Sequence, residues 1–310
     1  MRRWLKWSVL LGLPVIAAVF ILLSHPHLAI TEPVGADVAV VEGWMPAERL
    51  REAAIQLEAL PYRRIHTTGT IRPFTYHLHV REGVDVVLRE PAVGELRIRA
   101  AGLPGARIIL LGDRDTLDTW NVQETASIRT VSLSAPLSHL RFVSVNDIAP
   151  NGEAENVALI EVTVNGEYLH LLQRETLRVM ADGSLRQGWP TYAHAAAHTL
   201  HQAGIPEGRL LAIPTWGKPD SRSWANAATF GAYAQQQGCT AVDVYTLGVH
   251  ARRSRELFRR GCGPGIAVGV ISINDPRCDA DDWWKHWSGW FHVLKELGGS
   301  TEPYAVDLTH

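Results

Sequence analysis

The side chains best suited to chemistry sit where short apolar runs end. The run from Ala241 to Leu247 breaks at Gly248 and passes into His250, Arg252 and Arg253 on the first turns of an expected helix. An imidazole exchanges a proton near neutral pH, and a guanidinium holds phosphate or carboxylate through paired hydrogen bonds. Four other runs end alike: 37–41 in Glu42, Gly43 and Trp44; 63–67 in Thr67, Thr68, Gly69 and Thr70; 209–213 in Trp216, Arg222, Ser223 and Asn226; and 266–273 in Asn274 and Asp275. His250 and Glu42 are candidate acid and base. Arg253, with Arg252 or Arg222, is the candidate holder of an anionic group, and Ser223, Thr68, Gly69, Gly43 and Trp44 are candidate ligand contacts. Each has a plainer reading beside this one. Glu42 could be a solvated loop residue, His250 a surface cap, and the glycines simple turns. Of two adjacent arginines on a helix, one must point away.

For these ends to meet, the runs must be parallel strands of one sheet. Helical spacing follows the first run at Leu50, Ala53, Ala54, Leu57 and Leu60, and helices are also expected over 191–203 and 222–237 and after Gly248. Five buried strands alternating with helices predict a doubly wound, mostly parallel α/β sheet, in which ligands bind at the carboxyl ends of the strands. Between His77 and Met180 the pattern changes to short alternating runs broken by Gly, Pro, Asn and Asp, which predicts an inserted all-β sandwich. The organisation expected is an anchor over 1–25, an α/β domain in two pieces, 26–76 and 188–310, and an insert over 77–187. Both junctions of the insert fall on the side of His250, so the insert is expected over the crevice.

Residues 7–23 carry no charge and follow Arg2, Arg3 and Lys6, the pattern of a single-pass membrane anchor with its basic flank in the cytoplasm. A cleaved signal peptide shares that pattern, but no small-residue cleavage site is evident. A net charge of -2 argues against a nucleic-acid partner. Cys239, Cys262 and Cys278 lack metal spacing; outside the cell one pair could form a disulfide, or all three could be isolated thiols. His194, His198 and His201 share one helix face without an acidic companion, which reads as a polar face more than a metal site. Trp283, Trp284, Trp287 and Trp290 form a stripe on an expected final helix, for core or membrane-surface packing. No G-x-S-x-G elbow, Walker loop or G-x-G-x-x-G appears at the first strand.

The segments ADVAVVEGWMP, TTGT, PDSRSWANA and TLGVHARRSRELF resemble, in that order, the motifs of the YdcF, SanA and ElyC group, domain of unknown function family 218. That family's H-x-x-R falls on His250 and Arg253. The resemblance implies a Rossmann-like α/β fold, single-pass anchoring in a bacterial inner membrane with the bulk in the periplasm, and a link to cell-envelope biogenesis; S-adenosylmethionine or other nucleotide-like ligands are associated with some members. RFVSVNDIAPNGEAENVALIEVTVNGEYL resembles the closing strands of calcium-dependent xylan-binding modules of carbohydrate-binding families 36 and 60, through Asn146, Asp147, Asn156 and Gly166. Ala154 and Ile160 stand where that pattern has acidic residues, which leaves Asp147, with Asp113, Asp115 and Asp118, as the possible calcium ligands. The combined expectation is an anchored periplasmic protein that binds a glycan or anionic saccharide precursor, with possible phosphoryl or glycosyl-phosphate chemistry. The alternatives are a non-catalytic envelope scaffold and an S-adenosylmethionine or nucleotide binder.

Overall fold

The computed structural model describes residues 18–113, 115–145, 156–217 and 219–299. The chain forms two compact units, Met1–Thr70 with Tyr192–His310, and Ile71–Thr191.

The first unit is built on β1 (Val38–Glu42), α1 (Ala47–Ala59), β2 (Arg64–Thr70), α2 (Tyr192–Gln202), β3 (Leu210–Thr215), α3 (Arg222–Gln236), β4 (Ala241–Leu247), α4 (Ala251–Cys262), β5 (Ala267–Ile273) and α5 (Trp287–Gly299). The five strands are all parallel, in the order β3-β2-β1-β4-β5. Their near-continuous apolar runs follow from burial on both faces. Ala39, Val41, Tyr245 and Ile271 pack with α1 and α2 through Leu50, Leu57 and Leu200. On the opposite face Val38, Val40, Val244 and Val268 pack with α3 and α4 through Phe230, Leu257 and Phe258. From β1 the chain winds outward one way through β2 and β3, then returns to the other side of β1 for β4 and β5. The loops after β1 and β4 therefore diverge, and this reversal of winding is where open α/β sheets form a crevice.

His66 of β2 is buried on the α3 face against Phe230 and Tyr233. Burial, aided by the Arg64 charge, lowers its pKa to about 4 despite a hydrogen bond with the Leu211 backbone. The unfolded chain, titrating near 6.5, then binds the proton more readily than the folded one. Stability from neutral His66 is thus fully present above pH 6.5 and is lost as the pH falls toward 4, by about 3 kcal/mol in all. Urea unfolding across that window should show this loss, and His66→Phe should flatten the slope.

Among its described residues the second unit holds one nine-stranded antiparallel sheet, where two packed sheets were expected. Two long strands, Gly83–Gly102 and Ser127–Val145, pair along most of their lengths with register shifts around Ala92. The first half of Gly83–Gly102 also pairs with Gln173–Val179 and its second half with Val157–Val164. Val84, Val86 and Leu88 from the first half share a single core with Leu96, Ile98 and Ala100 from the second. The sheet therefore bends over its own core at the bulges, which accommodate Pro91.

All three cysteines are free thiols, Cys262 and Cys278 buried and Cys239 half-buried, so no pair is bridged. Burial pushes both the Cys262 and the Cys278 thiol up to about 12, which keeps them inert. The expected single tryptophan helix is two elements: a 3-10 turn at Trp283–Lys285, then α5, with extended backbone at His286 between them. Trp283 is buried and Trp287 points outward, so the tryptophans do not form one stripe. Residues 18–28 are helical. No helix among the described residues is long and apolar enough to cross a membrane, and most of the apolar run 7–23 lies outside them.

Candidate functional site

Glu42 is the last residue of β1, and the alternation of the strand turns it toward the α4 face. It is fully buried. Its Oε2 accepts the hydroxyls of Thr246 at 2.5 Å and Ser254 at 2.6 Å. Its Oε1 is buried and has no hydrogen-bond partner among the described residues. Thr68, the register partner of Glu42 on β2, is also buried, and among the described residues neither its Oγ1 nor Oδ1 of the buried Asn226 on α3 has a hydrogen-bond partner. Buried polar groups in folded proteins are almost always satisfied, so the orphaned atoms at these neighbouring strand ends single the residues out as candidates.

His250 ends the 3-10 turn Gly248–His250 that joins β4 to α4. Its Nδ1 lies 3.0 Å from Glu296 Oε1, and Trp44 meets its ring edge-on at 5.3 Å between centroids. Nε2 is buried and has no hydrogen-bond partner among the described residues. Burial acts to lower the His250 pKa, but the Glu296 hydrogen bond and the Glu42 and Glu296 charges outweigh it, and the net shift is upward. Burial likewise acts to raise Glu296, and His250, Arg253 and Lys295 together hold it below the usual carboxylate range. The arrangement favours an imidazolium whose free Nε2–H can donate to a ligand oxygen or pass on its proton.

The remaining candidates divide. Arg253 turns inward, with its guanidinium 3.8 Å from Glu296 Oε2. Arg252 is exposed and directed at His27, 3.3 Å from Nδ1, so it does not share the pocket of Arg253. Arg222 is exposed on the first turn of α3, and Ser223 beside it is half-buried. Gly43 and Gly69 sit where another backbone approaches closely. A Cβ on Gly43 would lie 2.5 Å from the Tyr192 carbonyl oxygen, and one on Gly69 2.5 Å from the Ala193 amide nitrogen. Both are needed because the start of α2 presses on the strand ends, where Thr67 also donates to the Ala193 carbonyl. Gly248 combines a φ of +49° with the Asp275 side chain against it. Asp275 itself is held by the backbone N–H and guanidinium of Arg277.

Three residues that complete the site were not among the candidates: Thr246, Ser254 and Glu296. Ser254 follows His250 by four residues, one helical turn. Glu296 follows the buried Val293 by three, and a carboxylate on the buried face of an apolar helix was the available signal.

His201 donates from Nδ1 to the Ile205 carbonyl oxygen at 3.1 Å, and His194 lies beside Trp216. Among the described residues no group of three His, Cys, Asp or Glu side chains is placed to hold a metal ion. In the second unit Asp118 is paired in two-pronged fashion with Arg129, and Asp113 accepts the Ser138 N–H. Asn146 and Asp147 lie outside the described residues.

No family model and no curated protein matches the chain. Among solved structures, a glycoside hydrolase family 43 arabinoxylan arabinofuranohydrolase from Bacillus subtilis, in complex with cellotetraose, is similar at 13% identity and a TM-score of 0.24, covering 30% of this chain. The match spans 21% of that relative's length. A family two carbohydrate esterase from Cellvibrio japonicus is similar at 7% identity and a TM-score of 0.22, over 74% of this chain and 95% of its own. Likenesses of this degree say nothing about the activity of this chain.

Proposed function

We propose that this protein is a membrane-anchored, periplasmic member of the YdcF, SanA and ElyC group that binds an envelope saccharide precursor at the switch point of its parallel sheet. The observation that carries the proposal is that two buried polar atoms at the strand ends, Glu42 Oε1 and His250 Nε2, have no hydrogen-bond partner among the described residues. The orphaned acceptors of Glu42 and Thr68 suit the hydroxyl donors of a sugar, and Trp44 offers an apolar ring beside them. The His250 imidazolium suits an anionic oxygen, so a glycosyl phosphate fits better than a neutral sugar. In turnover, Glu42 would accept a proton from an attacking hydroxyl or water while His250 donates one to the leaving oxygen. The N-terminal run and the envelope motifs support the location, and the xylan-module motifs support glycan binding by the insert.

A panel of glycosyl phosphates and neutral oligosaccharides, read by calorimetry and then by release of phosphate or sugar, tests this. Glycosyl phosphates should bind best, and Glu42→Gln and His250→Gln should each weaken them at least tenfold. Equal binding by the variants would refute the site. A non-catalytic role has one observation in its favour: the Thr246 and Ser254 hydroxyls are both committed to Glu42, which leaves neither as a nucleophile. Binding without product would select it.

A further inference from the structure

We infer that α5 carries a membrane-contacting face, formed by Trp287, Phe291 and Leu294, which lies in the interfacial layer of a lipid bilayer. The three residues recur at helical spacing of four and three, so they share one side of the helix. All are large and apolar, yet Trp287 is 82%, Phe291 55% and Leu294 50% exposed. The only exposed charge described on α5 is Lys295, whose long stem lets its ammonium reach the headgroups while its methylenes stay among apolar groups.

What commits the face to lipid is the neighbour of α5. The helix over residues 18–28 packs on α5, with Phe20 stacked on Trp290 at 6.0 Å and 5° between planes, and Ile21 and Leu28 in the same cluster as Trp283 and Val293. Phe20 lies in the last turn of the uncharged run 7–23, three residues and about 4.5 Å of helix rise before its end at Leu23. Leu22 and Leu23 are themselves 68% and 62% exposed. If the run enters a bilayer, Trp290 stands at the level where it leaves the hydrocarbon, and the outward face of α5 is beside it. Tryptophan is enriched at that depth because its ring is apolar and its N–H is not. Here the Trp290 N–H donates to the Trp284 carbonyl, so this ring is fixed to the fold, while Trp287 is left outward. The inference rests on the anchor reading of residues 7–23. It adds that α5, which also carries Glu296, is held at the membrane surface.

The test uses full-length protein reconstituted in vesicles of phosphatidylcholine and phosphatidylglycerol, with nitroxide labels on Trp287→Cys, Phe291→Cys, Leu22→Cys and, as a solvent control, Glu58→Cys on α1. The labelled wild type is the blank for the half-buried Cys239, since Cys262 and Cys278 are buried. Collisions with oxygen relative to a water-soluble nickel chelate should be several-fold more frequent at 287 and 291 than at 58, and as frequent as at 22. A lipid signal at 22 with a solvent signal at 287 and 291 overturns the inference and leaves the anchor standing. A solvent signal at 22 overturns both. Labels at 287 and 291 shielded from both probes would mean a protein partner or a second copy covers the face, which also overturns it.

Discussion

Replacing Gly69 by alanine should lower the unfolding free energy by about 3 kcal/mol or more, because the new methyl meets backbone and not a movable side chain. It would stand 2.5 Å from the Ala193 nitrogen and 2.6 Å from the Tyr192 Cβ, which forces the first turn of α2 off the ends of β1 and β2. Gly43→Ala should behave alike, against the Tyr192 and Thr68 carbonyl oxygens at 2.5 and 2.7 Å. Gly208→Ala, where nothing lies within 4 Å, is the control and should stay within about 0.5 kcal/mol of the wild type. Denaturant unfolding of the full-length protein in mild detergent reads all three. If Gly69→Ala kept its stability but lost ligand, the glycine would be contacting ligand and the packing explanation would fail.

The second large effect is expected at Glu42, and it separates charge from shape. Glu42→Gln keeps the side-chain volume, and its amide oxygen can still accept the Thr246 and Ser254 hydroxyls, so the fold should lose only about 1 kcal/mol. Ligand affinity should nonetheless fall on the order of 10- to 100-fold, the worth of a buried hydrogen bond to a charged group. Glu42→Ala should cost more in stability, about 3 kcal/mol, since it opens a cavity and strands two buried hydroxyls. A Glu42→Gln protein that unfolds readily but binds normally would make Glu42 a structural brace of the α4 face and nothing more.

Much of this was legible in the sequence, and what was not has physical causes. The parallel strands were visible because burial on both faces leaves unbroken apolar runs, and the polar residues at their ends, Glu42 and His250 among them, then had only one edge to occupy. Adjacent arginines could not be told apart by type; the helix geometry that sends Arg253 toward Glu296 sends Arg252 toward His27. Gly43 and Gly69 read as turns because their true cause, the start of α2, arrives more than a hundred residues later in the chain. Glu296 was hidden among aromatic residues that draw attention to packing. In the insert, Pro91 and Pro136 broke two long strands into four apparent ones. Residue alternation is the same in one bent sheet as in two packed ones, so periodicity alone could not choose between them.

The constellation as a whole predicts a histidine whose pKa is raised by two carboxylates, Glu296 and Glu42. A raised pKa means that the folded protein binds the His250 proton more tightly than the unfolded chain does. The stability this contributes is fully present below pH 6.5 and is lost as the pH rises through the folded value. Glu296 acts through Nδ1 and Glu42 through its charge, so each should be separable from the other by substitution. The decisive measurement is the pH titration of the His250 ring by nuclear magnetic resonance, assigned by its loss in His250→Gln, in the wild type and in Glu296→Gln and Glu42→Gln. The wild-type histidine should titrate above 6.5, and each substitution should lower that value. A wild-type value at or below 6.5, or one that neither substitution moves, would contradict the acid–base site.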